Sequence, residues 1–383
     1  MLLPKKMKLN IGINVFDAAL NRLQELYEQD HTIVISQSGG KDSTVCMELA
    51  IMAADAAGKL PINVIHRDEE ILFPNTYEYL DRVANRPEVN MHHVWAGQPV
   101  INVFNRADPY WWIFDETIPR EEWVRQPPEY AYKINEFNIQ ALVTKDRFPT
   151  PEGKDLFACI GLRVQESPNR RMGLFSSKGH ITKENKMGVK YVRPIYDWLD
   201  GDVWKAIENF KWDYNHAYDV MVKHGRSKNQ LRIAPLTMTQ AGIKDLQLAQ
   251  KAFPQWFDSI THRLDGIRTA AQFGRRSCEP RRKSGEDWRD CFMRECIKDA
   301  PEWVAVRAEL AMRKALEKHN RQNRGMEFPQ VNAMRADPLG SWKKLAYGMW
   351  NGDPFSLKAG FLPYIEPEQF RKGSGWWGGK PSF

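Results

Sequence analysis

One run of residues carries the densest chemistry in the chain: Ser36-Gln-Ser-Gly-Gly-Lys-Asp-Ser-Thr44. Glycines allow a tight turn that brings several backbone N–H groups toward one point. Ser38, Ser43 and Thr44 offer hydroxyls, and Lys41 offers a full positive charge. Residues 42–57 are rich in helix formers, so a helix N-terminus adds partial positive charge at the same place. Together these make a cradle for phosphate. The spacing is not that of the Walker loop G-x-x-x-x-G-K-[ST]. The plainer alternative is a strand–turn–helix corner with polar caps. Asp42 has two readings: a Mg²⁺-binding carboxylate, or an early-helix acid favoured by the dipole.

A second cluster is basic. Arg163, Arg170 and Arg171 follow a short apolar run and are spaced to converge on one anion. Guanidinium groups bind phosphate or sulfate through paired hydrogen bonds. Glu166 could orient one of them, with a solvated charged loop as the alternative. Asp68, at the end of a strand-like run, suits a ribose hydroxyl or Mg²⁺, or else caps a turn. Asp197 and Trp198 read as supports of the fold. No histidine pair has the HExxH spacing, and His216 and His224 read as structural.

Five cysteines occur, and three of them, Cys278, Cys291 and Cys296, fall within nineteen positions. Thiolates hold Zn²⁺ or iron–sulfur clusters, which normally take four ligands. A continuous helix would turn Cys291 and Cys296 about 140° apart, so a shared metal needs a break between them. The sequence offers no Gly or Pro there. The set is named as candidate metal ligands against that geometric objection, with three unligated thiols as the alternative. Cys46 and Cys159 read as small buried hydrophobes. Arg275, Arg276, Arg281, Arg282 and Lys283 surround Cys278, a density that attracts phosphate backbones, with nearby acids as the offsetting alternative.

The elements that must position these groups follow from periodicity. Asn14 starts a helix over 14–28, and a β-branched strand covers 31–36. Further strands are expected at 62–66, 91–95, 156–162 and 191–195, with helices at 75–83 and 201–210. The alternation indicates a parallel α/β sheet. Residues 99–151, with several tryptophans and prolines, read as a long insertion or lid. Beyond about 231 the pattern turns helical, at 240–253, 256–273 and 301–319. The expected domains are 1–235, a helical 236–345 with the cysteines, and a tail 346–383 whose Gly373–Gly379 stretch carries two tryptophans.

Composition sets outer limits. The 383 residues carry a formal net charge of +7, with 42% hydrophobic and 27% charged residues. A mainly disordered or collagen-like chain is excluded. The charge suits a polyanionic ligand without requiring one. The cysteine content is too low for a disulfide scaffold. No apolar run approaches a membrane span, and the first residues lack a signal-peptide core, so a cytoplasmic location is expected.

Four segments, in order, resemble one family. Ser38-Gly-Gly-Lys-Asp-Ser43 resembles the PP-loop of the ATP-pyrophosphatase superfamily (adenine nucleotide α-hydrolases), and in particular the phosphoadenosine phosphosulfate (PAPS) reductase family. Asp68-Glu-Glu-Ile-Leu-Phe-Pro-Asn-Thr76 is similar to its strand-ending Asp with Phe-Pro-x-Thr. Gly161-Leu-Arg-Val-Gln-Glu-Ser-Pro-Asn-Arg170 is similar to its Gly-x-Arg-x-x-Glu-Ser-x-x-Arg. Arg193-Pro-Ile-Tyr-Asp-Trp198 and Asp202-Val-Trp204 are similar to its Pro-Ile-x-Asp-Trp and Asp-Val-Trp. Trp123-Val-Arg-Gln-Pro-Pro128 resembles a phage and enterobacterial subgroup related to immunoglobulin-binding regulator A proteins, often encoded beside a ParB-like partner.

The resemblance covers about residues 10–235. It implies an adenine nucleotide α-hydrolase-like domain followed by a helical domain. It implies ATP and Mg²⁺ as cofactors and attack at the α-phosphate, with AMP and pyrophosphate as products and a nucleic-acid or sulfur-linked substrate. Ser36, Ser38, Gly39, Gly40, Lys41, Asp42, Ser43, Thr44, Asp68, Gly161, Arg163 and Glu166 would bind the nucleotide, and Lys41, Asp42, Arg163 and Arg170 would act in catalysis. The family's reductases place a nucleophilic cysteine near the C-terminus, and no cysteine follows Cys296 here, which points to the ATP-using branch. PAPS reduction or sulfur transfer, and an ATP-binding regulator working with a ParB-like protein, are the alternatives. A related DNA phosphorothioation enzyme carries an iron–sulfur cluster, the precedent for a metal at the three cysteines.

Overall fold

The computed structural model describes residues 12–135, 142–177, 179–331 and 337–370. The Gly373–Gly379 stretch lies outside the described residues. In chain order the strands are β1 (Thr32–Ser36), β2 (Ile62–Asp68), β3 (Val89–Trp95), β4 (Gln98–Ile101), β5 (Tyr110–Ile113), β6 (Tyr132–Lys133), β7 (Leu156–Cys159) and β8 (Val189–Val192). The α-helices are α1 (Val15–Glu28), α2 (Lys41–Ala56), α3 (Pro74–Ala84), α4 (Pro168–Ser177), α5 (Asp200–Phe210) and α6 (Ala217–Lys223). They continue with α7 (Ile243–Ala252), α8 (Pro254–Arg263), α9 (Ile267–Phe273), α10 (Trp288–Phe292), α11 (Glu302–Gln322) and α12 (Trp342–Met349).

The chain divides into two units. The first comprises 1–97 and 125–235; the second comprises 98–124 and 236–383.

In the first unit six strands form a sheet in the order β6–β3–β2–β1–β7–β8, every neighbouring pair parallel. A parallel sheet must be covered on both faces. Side chains alternate along β1, so Ile33 and Ile35 join the core beneath α1, α2 and α5, while Val34 joins a second core. That second core accounts for part of the segment 99–151 read as a long insertion or lid. Ile134, Leu142, Val143 and Phe148 come from it and pack with Val34, Ile65, Val94, Leu156 and Ala158. They cover the sheet's other face without regular structure, so no period marks them in the sequence. Residues 98–124 belong to the second unit instead, where β4 and β5 pair antiparallel.

Local signals set several boundaries. Asn14 caps α1, its Oδ1 accepting the Asp17 N–H at 2.9 Å. Trp198 is 1% exposed and donates its indole N–H to the Val15 carbonyl at 2.9 Å. Asp197 pairs with Arg22 at 2.8 Å, which joins α1 to the turn before α5. Both residues act as the supports their positions suggest. Strand β7 ends at Cys159 rather than 162, because the chain there turns against the start of α2.

The second unit is largely helical. The helix expected over 256–273 is interrupted: α8 ends at Arg263, and Gly266, with φ +83°, begins α9. Residues 346–365 are not a separate tail. Helix α12 runs through the expected boundary at 345, and Arg307, 3% exposed, donates to the carbonyls of Gly352, Asp353 and Pro363 at 2.6, 2.7 and 2.8 Å. Among the described residues no helix is long and apolar enough to cross a membrane.

One glycine decides how closely β7's exit approaches α2. A Cβ on Gly161 would lie 2.7 Å from the Asp42 carbonyl carbon and 2.9 Å from the Ser43 nitrogen, both backbone atoms. Gly161→Ala is expected to destabilise the protein by about 1–3 kcal/mol, the usual cost of overpacking. Urea unfolding measures it; unchanged stability would show that the two segments are free to separate.

Candidate functional site

The β-strand order reverses at β1, with β2 on one side and β7 on the other. Open parallel sheets bind ligands outside the carboxyl ends of the strands at such a switch point. Both signature segments emerge there. Residues 37–40 leave β1 and enter α2, and residues 160–163 leave β7.

The loop is braced from within. Gln37 Oε1 accepts the Gly39 N–H at 3.0 Å and the Ser43 hydroxyl at 2.5 Å. Ser38 and Ser43 oxygens lie 3.2 Å apart. The Thr44 hydroxyl lies 3.0 Å from the Gly40 carbonyl and 2.7 Å from the Tyr79 hydroxyl. Gly39 has φ +77°, and a Cβ there would stand 2.5 Å from Thr76 Cγ2. Asn215, fully buried, donates to the Gly39 carbonyl at 3.0 Å and to Thr76 Oγ1 at 2.9 Å. The Lys41 N–H donates to the Tyr218 hydroxyl at 2.9 Å. Ser38 is left exposed at the loop's tip, and Ser36 ends β1.

Around the loop stands a charged array. Lys41 and Arg163 are 4% and 3% exposed. Arg163 Nε meets Asp42 Oδ1 at 2.6 Å, and its Nη2 meets Asp200 at 3.2 Å. Lys41 Nζ lies 3.2 Å from Asp200 and 3.8 Å from Asp42, and donates to the Leu231 carbonyl at 3.2 Å. Two buried cations thus share two carboxylates, which offsets the cost of removing them from water. Gln165 Oε1 accepts the Asp200 N–H at 2.9 Å and fixes that carboxylate's base.

Arg170, on α4, is paired with Glu166. Burial, then the positive charges of Arg232 and Arg163, push its guanidinium below the ordinary range, while Asp42 opposes. The charges of Arg163, Asp42 and Arg232 thus reach Arg170. The structure brings Lys41 and Arg163 together at the start of α2, with Arg170 and Arg232 within electrostatic reach. Arg171 is exposed on the next position of α4.

Asp68 has a different setting. It is 1% exposed, and one oxygen meets His93 Nε2 at 2.9 Å and also Arg125. The other accepts the Glu70 N–H at 3.0 Å. Burial would raise its carboxyl, but His93 and Arg125 outweigh that and hold it below the usual carboxylate range. Instead of facing a ribose or Mg²⁺, it anchors a buried network behind the loop. His66 packs edge-on to His93 at 4.8 Å and its Nδ1 lies 2.8 Å from the Gln37 carbonyl. His216 is exposed and paired with Asp219 at 2.8 Å.

The three clustered cysteines do not form a ligand set. Among the described residues no three His, Cys, Asp or Glu side chains gather as a group that could hold a metal ion. Cys278 Sγ lies 3.6 Å from the Arg275 carbonyl and Cys296 Sγ 3.6 Å from that of Ala346. Burial pushes the thiols up to about 11, 11 and 12 for Cys278, Cys291 and Cys296. A π-helical turn, Met293–Lys298, does interrupt the helix after Cys291, without Gly or Pro to signal it. Cys46 and Cys159 are buried in the first unit's core.

Asp200, Asn215, Tyr218 and Arg232 are site residues that sequence reading passes over. Each comes from a separate element and carries no local motif. Asp200 alone had a hint, beside the Asp197-Trp198 and Asp202-Val-Trp204 segments.

A parallel sheet with this loop and basic mouth at its switch point defines a nucleotide-binding PP-loop protein. Residues 32–224 match the family model of the phosphoadenosine phosphosulfate reductase domain, half of the chain, and the chain belongs to that family. A protein of Escherichia coli K12, described as uncharacterized protein YbdN, is 25% identical over 388 positions, covering 93% of this chain and 92% of that one. Solved structures with similarity include the PAPS reductase of Candida auris in a phosphate complex, at 14% identity and TM-score 0.32, over 57% of this chain and 93% of that one. Another is the FMN adenylyltransferase of Candida glabrata with FMN and AMPCPP, at 12% identity and TM-score 0.34, over 54% of this chain and 63% of that one.

The histidine behind the loop gives a pH test. Burial first, then His93, push His66 down from 6.5 to about 3. The folded form keeps it neutral where the unfolded chain takes up a proton. Its contribution is therefore fully present above pH 6.5 and is lost as pH falls from there toward 3. The slope is about 1.4 kcal/mol per pH unit inside that window. Urea unfolding of wild type and His66→Gln across it should show the shallower slope in the variant. Equal slopes would mean that His66 is protonated in the fold.

Proposed function

We propose that the protein binds ATP at the mouth of residues 38–43 and cleaves between its α- and β-phosphates. A nucleophilic oxygen of the acceptor attacks the α-phosphorus, the bond to the bridging oxygen breaks, and pyrophosphate leaves. Water as acceptor gives AMP; another acceptor becomes adenylated. The observation that carries the reading is the buried pair of Lys41 and Arg163, held at the N-terminus of α2 by Asp42 and Asp200.

In this reading Ser38, Gly39, Gly40 and Ser43 cradle the leaving pyrophosphate, and Lys41, Arg163, Arg170 and Arg232 neutralise its charge. Such chemistry depends mostly on positioning and charge stabilisation. Mg²⁺ usually takes one or two carboxylates plus substrate phosphates. Asp42 and Asp200, adjacent and both partly exposed, are the residues that fit it. It would supply further neutralisation of the phosphates. The acceptor class is a nucleic-acid or sulfur-linked substrate.

The rival reading is PAPS reduction or sulfur transfer. A thiol nucleophile must be a thiolate. The three thiols of the second unit are buried and pushed to 11 or above, so each is protonated near neutrality. That favours the ATP reading.

Product analysis separates the two: AMP and pyrophosphate from ATP, against sulfite and adenosine 3′,5′-bisphosphate from PAPS. Lys41→Met is expected to weaken ATP binding by roughly 1.5–3 kcal/mol, the scale of a charge-assisted hydrogen bond, in a protein that remains folded. Calorimetric titration beside a thermal melt checks it. Unchanged affinity in the folded variant would remove Lys41 from the site.

A further inference from the structure

The second unit carries a feature that the nucleotide reading leaves unused. Arg275, Arg276, Arg281, Arg282, Lys283 and Lys343 are all exposed. Among the described residues none of the six makes an ion pair. The nearby acids are engaged elsewhere. Glu286 is held by Arg294 at 2.8 Å, and Asp287 caps α10, accepting the Asp290 N–H at 2.8 Å. Glu279, whose charge reaches the Tyr347 hydroxyl, Glu286, whose charge also meets Lys283, and exposed Asp290 are the acids that oppose the cations.

The cations instead frame aromatic rings. Arg282 and Lys343 each lie 5.4 Å from the Trp288 ring centre, and Lys343 lies 6.0 Å from that of Tyr347. The two rings are 5.7 Å apart and tilted. Tyr347 is 44% exposed. Helices α10 and α12 carry the rings side by side, and the loop before α10 carries most of the charge.

Cations without ion pairs beside an exposed tyrosine and a half-buried tryptophan fit a ligand with regularly spaced phosphates and flat, stackable bases. A duplex keeps its bases stacked inside, whereas a single strand offers them. We infer that this face of the second unit, Arg275–Lys283 with Trp288, Lys343 and Tyr347, binds single-stranded nucleic acid. An anionic membrane or an acidic protein would meet the charge but has no use for the aromatic pair. The inference stands apart from the nucleotide site and survives if that site proves different.

Fluorescence anisotropy tests it on the full chain, with labelled single-stranded DNA and RNA of about 20 nucleotides and a duplex of the same sequence. Single strands should bind, with log affinity falling by roughly 3–4 per decade of salt if four to six phosphates are neutralised. The duplex should bind about tenfold more weakly. Arg282→Glu with Lys283→Glu should lose at least about tenfold and flatten the salt slope. Tyr347→Ala should lose roughly tenfold with the slope kept, the mark of stacking rather than charge. Lys314→Glu, at an exposed position of α11, should leave binding unchanged. Far-UV circular dichroism must match wild type; if a variant unfolds, Lys343→Glu replaces it. No single-strand binding at about 50 mM salt overturns the inference. So do equal binding to polyglutamate, to phosphatidylserine vesicles or to the duplex, and unchanged affinity after charge reversal.

Discussion

Two cations removed from water govern this structure. Lys41 and Arg163 are almost wholly buried, and charges removed from water at that depth need partners. Asp42 and Asp200 supply the partners, each within reach of both cations. The arrangement needs α2, the exit of β7 and the start of α5 to arrive at one place. The parallel sheet delivers the first two by putting β1 beside β7, and Gly161 lets their exits touch. The third follows through Gln165, which holds the Asp200 backbone. Charge, sheet order and one missing side chain are thus parts of the same device.

The device itself is neutral, two cations against two carboxylates. Arg170 and Arg232 add two cations beside it, Glu166 pairs with Arg170, and the balance is positive. Each carboxylate here neutralises a cation without satisfying its full hydrogen-bonding capacity. Of the two, Asp200, at 3.2 Å and more exposed, is the carboxylate that the proposed polyphosphate would displace more readily than Asp42, held at 2.6 Å. Behind the loop, Asp68, His93, His66 and Gln37 provide a rigid wall. A site built from a stiff back and an exchangeable front favours binding an anion without rearranging the fold.

The loop was legible because its parts are consecutive. Seven adjacent residues supply glycines, hydroxyls, lysine and helix start, so spacing alone exposes them. Arg163 and Arg170 were legible for the same reason, sitting in one short segment. Asp200, Asn215, Tyr218 and Arg232 were not, because only the tertiary fold gathers them. Residues 99–151 were read as a long insertion or lid; within them Ile134, Leu142, Val143 and Phe148 cover the sheet without helical or strand period, which the sequence could not show. Asp68 was read as meeting a ribose hydroxyl or Mg²⁺, or else capping a turn; it caps the turn through the Glu70 N–H and turns inward onto a histidine and an arginine. The expected tail was misjudged because a single buried arginine, Arg307, fastens it through carbonyls that no side-chain pattern reveals.

The central claim is that the mouth of β1 and β7 holds the phosphates of an adenine nucleotide. A crystal structure with the non-cleavable analogue AMPCPP and Mg²⁺ tests it most directly. The account predicts the β- and γ-phosphates against residues 38–43, within hydrogen-bond reach of Lys41 Nζ and of at least one guanidinium among Arg163, Arg170 and Arg232. Phosphates bound elsewhere on the chain, with Lys41 and Arg163 still closed on Asp42 and Asp200, would contradict it.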